Sequence, residues 1–162
     1  MTAEVAIYLK ELLWVLDQIT EILATYPVGR LDWRPSTSAA NSGYAIANHV
    51  LQVTRVYALG FGCGQVVTRN RSVEFTADGG DSRELITKLR ELAHDLETAL
   101  GALPAETLDR RLRPSPDLWG TGEPREISAR EAIVESIRHA AIHLGELRLT
   151  RDLAVRGDRP GG

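Results

Sequence analysis

The histidines offer the clearest chemistry in this sequence. Only four occur, at positions 49, 94, 139 and 143. His139 and His143 are four residues apart, so on an α-helix they lie one above the other, about 40° apart around the axis. Two imidazoles in that arrangement can bind one divalent ion, with each nitrogen about 2.0–2.1 Å from the metal. The spacing therefore indicates a candidate metal site.

A third histidine, His49, lies in a separate apolar segment, directly before Val50. A single histidine on an apolar face is usually a core residue whose ring bonds a backbone carbonyl or a water molecule. A buried pair has few good protein partners, and protonating either ring would be unfavourable, which favours a metal. Spacing alone leaves both interpretations open. His94 has Glu91, Asp95 and Glu97 as neighbours, so we expect it to face solvent.

Four amphipathic helices must position these residues. The first and third have apolar side chains spaced alternately four and three residues apart, which places each set on one helical face. These are Val5, Leu9, Leu12, Leu16, Ile19 and Leu23, and then Leu85, Leu89, Leu92, Leu96, Ala99 and Leu103. The second helix is predicted over 42–59, with its cap among Asn41, Ser42 and Gly43 and its end at the following glycines.

Capping patterns predict where the other helices begin. Asp81-Ser82 precedes the third helix, and Ser128-x-x-Glu131 is a capping box before the fourth, which should extend to about Leu153. No segment has the pattern of a strand. The sequence thus predicts an all-α, four-helix bundle with long loops over 65–80 and 104–127, and the length of these loops allows a crossover connection. Residues 1–155 should form one domain, followed by a flexible tail over 156–162.

Composition excludes several classes of protein. Hydrophobic residues make up 43% of the chain and charged residues 25%, with a formal net charge of −3, which gives no reason to expect binding to nucleic acid or to a membrane. No apolar run approaches the roughly 20 residues that cross a bilayer, and the N-terminus lacks a secretory signal. The one cysteine, Cys63, cannot form an intrachain disulfide. We expect a soluble, cytoplasmic protein.

Two segments carry a resemblance to a known family. The run His139-Ala-Ala-Ile-His143-Leu-Gly-Glu146-Leu resembles the closing motif of DinB-like (DNA-damage-inducible B) proteins, His-x3-His-x-Gly-Gln-hydrophobic. The stretch Leu-x-Trp-Arg-Pro at 31–35, followed by Ala-Asn-His-Val-Leu at 47–51, resembles their earlier segment. This resemblance implies a four-helix bundle with a metal held by His49, His139 and His143. Glu146 stands where the family commonly has glutamine, so it can either bond a ligand or bind the metal.

The resemblance also implies a function. Relatives include thiol-dependent transferases and maleylpyruvate isomerases that use a thiol such as mycothiol or bacillithiol. Three neutral imidazoles leave coordination positions open, which is typical of catalytic metal sites. The leading hypothesis is a metal-dependent thiol transferase, isomerase or related stress-response enzyme acting on a small molecule, with zinc, nickel or iron. The alternative is a metal- or ligand-binding protein without turnover. We further expect a homodimer.

Other residues near the histidines are weaker candidates. Glu135 and Glu146 can border the site, although a solvated helix charge is the preferred interpretation for Glu135. Gln52, three residues after His49, can orient its ring. Cys63 lies between two glycines and is interpreted as a small turn residue rather than a nucleophile. The pair reads His-Ala-Ala-Ile-His, without the glutamate that follows the first histidine in zinc proteases, which argues against that class.

Overall fold

Four long α-helices form most of the part of the chain that the structure describes. A computed structural model describes residues 1–36, 40–70, Glu74 and 81–156. The helices are α1 (Ala3–Ala24), α2 (Gly43–Thr54), α3 (Ser82–Gly101) and α4 (Ala129–Arg156). The predicted all-α bundle is confirmed. Within the described residues, no helix combines the length and apolarity that a membrane span needs.

The helices begin at the predicted capping residues. The Ser42 hydroxyl accepts a hydrogen bond from the Ala45 backbone N–H, and Asp81 accepts one from Arg83. At α4 the capping box is complete. The Glu131 N–H donates to the Ser128 hydroxyl at 3.1 Å, and the Ser128 N–H donates to the Glu131 carboxylate at 2.6 Å. These bonds satisfy backbone donors that the first helical turn leaves without partners.

Apolar stripes hold the bundle together. On α3, the four leucines of the predicted stripe that lie within the helix are at most 1% exposed: Leu85, Leu89, Leu92 and Leu96. Leu100, which the predicted stripe did not include, is fully buried, whereas the predicted Ala99 is only half-buried. Helix α3 packs against α1, while α4 packs against α1 on one side and against α2 on the other. Helix α4 therefore joins the apolar core to the helix that carries His49.

The direction of the helices requires a crossover. Glu4 bonds Arg130 near the start of α1 and α4, and Gln18 bonds Arg148 further along both helices, so these two run parallel. Helices joined only by simple hairpins would place the first and fourth antiparallel. The long connections that the sequence contains are thus needed for this arrangement.

Helix α2 does not end where the sequence predicts. Instead of stopping at Leu59, it continues as a π-helix over Arg55–Gly62. A side chain on Gly62 would lie 2.6 Å from Ile133 Cγ1 of α4, so the glycine allows close contact between the two helices. The glycines interpreted as a stop are therefore partly a packing requirement. Since π-helical turns are frequent at functional sites, their position near the candidate site is consistent with such a role.

A small β-ribbon lies in the last connection, where no strand was predicted from the sequence. Strand β1 (Arg111–Leu112) pairs antiparallel with β2 (Ile127–Ser128), with Arg111 opposite Ser128. Two residues are too few for an alternating pattern to be recognised. The ribbon closes a loop whose Trp119 contacts Tyr57 at a ring-centroid distance of 6.1 Å. The loop therefore covers the π-helical end of α2.

Some predictions lie partly outside the described residues. The stretch 65–70 has no regular structure, as expected, but Glu74 is helical, contrary to the loop predicted over 65–80. Residues 71–73, 75–80 and the tail residues 157–162 are not described. Residue 156, assigned to the tail, is instead the last residue of α4. Ile142 and Leu149 are exposed on α4, but nothing described covers them. The homodimer therefore stays a prediction.

We predict that Ser128→Ala destabilises the bundle by about 0.5–2 kcal/mol, because the first turn of α4 loses its side-chain acceptor. Urea unfolding followed by circular dichroism measures this change. Ser115→Ala, at an exposed loop position, is the matched control and should change stability by less than about 0.5 kcal/mol. Equal stability of the two variants would contradict a stabilising role for the capping box.

Candidate metal centre

The structure brings together the three histidines that the sequence singled out. One nitrogen from each of His49, His139 and His143 lies within 4.8 Å of the other two. The ring centroids are 4.4 to 5.0 Å apart, and the Nε2 atoms of His49 and His139 are separated by 3.1 Å. Helix α4 supplies two rings through its four-residue spacing, and the packing of α2 against α4 supplies the third.

Two carboxylates orient two of these rings. His49 Nδ1 lies 3.0 Å from Glu74 Oε2, and His143 Nδ1 lies 2.6 Å from Glu146 Oε2. An ionised carboxylate only accepts hydrogen bonds, so each pairing favours a proton on Nδ1 and a lone pair on Nε2. Glu146, whose role the sequence left open, thus contacts a histidine and not the point where the nitrogens converge.

The surroundings of His139 favour its uncharged form. Burial lowers the pKa of its imidazole to about 3, with further contributions from His143, His49 and nearby arginines. The ring is therefore neutral near pH 7, as a metal ligand must be. Its Nδ1 is buried and has no hydrogen-bond partner among the described residues.

These observations fit a divalent ion. Nitrogen lone pairs that face each other at short distance repel unless a proton or a cation lies between them. Ligand nitrogens on a tetrahedral ion with bonds of about 2.0–2.1 Å stand about 3.3–3.4 Å apart, close to the separation of His49 and His139. Neutral imidazoles suit zinc, nickel, copper and iron. The three-histidine group can hold a metal ion.

Glu74 and Arg69 are the residues that the sequence analysis missed. Arg69 Nε donates to Glu74 Oε1 at 2.6 Å, and Arg69 Nη2 donates to Oε2 at 2.8 Å. Both side chains are only 2% exposed. Burial alone would raise the pKa of Glu74, but hydrogen bonds from Arg69 and His49 lower it to about 2. A carboxylate placed 25 residues from His49, in a stretch of sequence without periodicity, gave no signal in the sequence.

The remaining candidates lie outside the histidine group. The side chain of His94 is 80% exposed, as expected, and Glu135 forms an ion pair with Arg138. The carboxylate at His49 is Glu74, so Gln52 does not take the orienting role that its spacing suggested. Burial raises the pKa of the Cys63 thiol to about 11, which keeps it protonated and agrees with its interpretation as a turn residue.

A cavity of about 770 Å³ adjoins the histidines. His49 and His139 form part of its wall, beside the aromatic rings of Tyr57 and Trp119. Charged groups from α4, from Arg69 and from Arg125 also line it. This volume lies within the range of small-molecule sites, about 300–1,000 Å³. A small molecule can therefore reach the histidine group from this side.

Comparisons with known proteins agree with this architecture. A DinB-like protein (YjoA) from Bacillus subtilis, known from a crystal structure, is similar with a TM-score of 0.66 and 17% sequence identity, over 95% of each chain. At that identity the likeness shows the fold alone. No curated protein matches the chain. The family model of the DinB superfamily matches residues 11–147, which is most of the sequence. The chain therefore belongs to the DinB superfamily.

Proposed function

We propose that His49, His139 and His143 bind one divalent metal ion, with zinc, nickel and iron as the candidates. We further propose that the protein is a metal-dependent transferase or related stress-response enzyme that uses a low-molecular-weight thiol of the mycothiol or bacillithiol type. The observation that carries the proposal is the convergence of three ligand nitrogens beside a cavity. An all-histidine set of three is typical of catalytic sites rather than closed structural ones.

The surroundings of the histidines support the metal-binding part of the proposal. Glu74 and Glu146 each accept from an Nδ1–H, which increases the basicity of the opposite nitrogen toward a cation. Arg69 compensates part of the negative charge that these carboxylates bring. His139, without such a partner among the described residues, contributes a neutral ring.

In the proposed reaction the thiol sulfur forms a bond to an electrophilic carbon of a small molecule. The thiol proton passes to water, and the leaving group, such as chloride, departs with the electron pair of its bond to that carbon. A bound divalent ion supplies Lewis acidity that favours the deprotonated form of a thiol. The chain itself contributes a cavity next to His49 and His139, in which Tyr57 and Trp119 provide apolar contacts for the reacting partner. Cys63 takes no part, because its thiol is protonated. The alternative is a metal- or ligand-binding protein without turnover.

For metal binding, we predict about one equivalent of divalent metal in the purified protein and none in His139→Ala, which loses one of three ligands. Elemental analysis by mass spectrometry measures the content. His94→Ala removes an exposed histidine from another helix and should retain the full equivalent. Equal metal content in both variants would refute the three-histidine site.

For the supporting carboxylate, we predict that Glu74→Gln weakens metal affinity by about 10- to 100-fold, because His49 loses a charged acceptor. Competition with a chromophoric chelator measures the dissociation constant. Glu84→Gln replaces an exposed carboxylate on α3 and should leave that constant unchanged. An unchanged affinity in Glu74→Gln would show that the pairing with His49 does not support a metal.

For thiol use, we predict that the metal-loaded protein binds mycothiol or bacillithiol and does not bind the S-methyl derivatives, which cannot become thiolates. Isothermal titration calorimetry measures binding, with His139→Ala as the negative control. Consumption of the thiol together with 1-chloro-2,4-dinitrobenzene would then demonstrate transfer. A metal-loaded protein that binds neither thiol would exclude this mechanism and favour the alternative without turnover.

A further inference from the structure

Arg69 is unusual among the charged residues that line the cavity, because its side chain is almost completely buried. Only 2% of it is exposed. Nε and Nη2 both donate to Glu74, so that edge of the guanidinium is fully used. Nη1 makes no hydrogen bond to the part of the chain that the structure describes. Nη1 is not fully buried, and Arg69 lines the cavity, so this nitrogen can donate to a group bound there.

The other arginines in the cavity wall differ from Arg69. Arg125 and Arg138 are more than half exposed, and each forms an ion pair with a glutamate of the same wall. Arg130 is held by Glu4 and Asp109. Exposed, paired guanidinium groups are screened by solvent and contribute little binding energy. Arg69 is thus the arginine of this wall that is best placed to recognise a specific anionic group.

Part of the cavity wall is apolar. Val53, Tyr57 and Ile127 line the cavity and belong to one buried cluster, against which Trp119 packs. A ligand that fills the space must therefore combine an apolar body with a polar end. Aromatic side chains are well suited to bind such a body.

We infer that this cavity takes a small amphipathic carboxylate, whose apolar body contacts Tyr57 and Trp119 and whose carboxylate accepts hydrogen bonds from Arg69 Nη1. The inference rests on the proposed function, since it names the class of electrophile that the thiol would meet beside the histidines. Arg69 is accordingly a specificity-determining residue, in addition to its contact with Glu74.

Binding of 4-phenylbutyrate and of its neutral amide, 4-phenylbutyramide, tests the inference. Isothermal titration calorimetry is performed on full-length protein that has been dialysed against a chelator. We expect the carboxylate to bind at least about tenfold more tightly than the amide, because only the carboxylate forms a charge-assisted hydrogen bond with Arg69. Neither metal nor thiol is present, so failure of the proposed thiol chemistry does not affect this result.

Three variants separate recognition from structural support. Arg69→Met should remove the preference for the carboxylate, while Arg90→Met, at an exposed position of α3, should retain it. Glu74→Gln leaves Arg69 in place and removes its competing carboxylate, so the preference should persist or increase. If Arg69 only supported Glu74, both Arg69→Met and Glu74→Gln would change binding alike.

Several results would overturn the inference. Equal affinity for the acid and the amide in the parent protein would do so, as would absence of binding by both. A preference that survives in Arg69→Met would also contradict it. Circular dichroism confirms that each variant is folded; should Arg69→Met unfold, the acid-to-amide ratio in the parent and in Glu74→Gln still decides the outcome.

Discussion

The structure depends on keeping three neutral imidazoles close together inside a helical bundle. To bind a metal these rings must be uncharged, and protonated rings at centroid distances below about 5 Å would repel one another in a poorly solvated site. Burial enforces this for His139. For His49 and His143, the flanking carboxylates fix which nitrogen carries the proton. Other features of the site follow from this requirement.

Glu74, which contacts His49, belongs to the connection between α2 and α3 and not to one of the four helices. A carboxylate buried beside His49 would be unfavourable by itself, so Arg69 neutralises it through two hydrogen bonds. Arg69 and Glu74 belong to the connection between α2 and α3, and Trp119 belongs to the connection between α3 and α4. The two long connections therefore both contribute to the surroundings of the histidines, besides allowing α1 and α4 to run parallel.

Arg69 lies between Glu74 and the cavity. One edge of its guanidinium supports Glu74, which contacts His49, and its remaining nitrogen is available on the side of the cavity. A single planar cation with five N–H donors can serve both purposes, which a lysine could not do with the same geometry. Ligand recognition and histidine orientation are in this way physically coupled.

The sequence alone determined the helices and helix starts, because their patterns involve residues close together in the chain. Helical periodicity gave the four helices and the leucine stripe of α3, and capping chemistry placed the starts of α2, α3 and α4. The four-residue spacing of His139 and His143 fixed their relative position, since one helix contains both. Resemblance to a family then added His49 to the pair.

Tertiary structure determined the features that depend on contacts between residues far apart in the sequence. The partnership of Glu74 and Arg69 with His49, the contact of Glu146 with His143 and the cavity all arise from packing that no periodic pattern encodes. The π-helical end of α2 and the two-residue strands were missed for a related reason. Gly62 is needed because Ile133 of another helix approaches it closely, and short strands are stabilised by each other rather than by their own sequence.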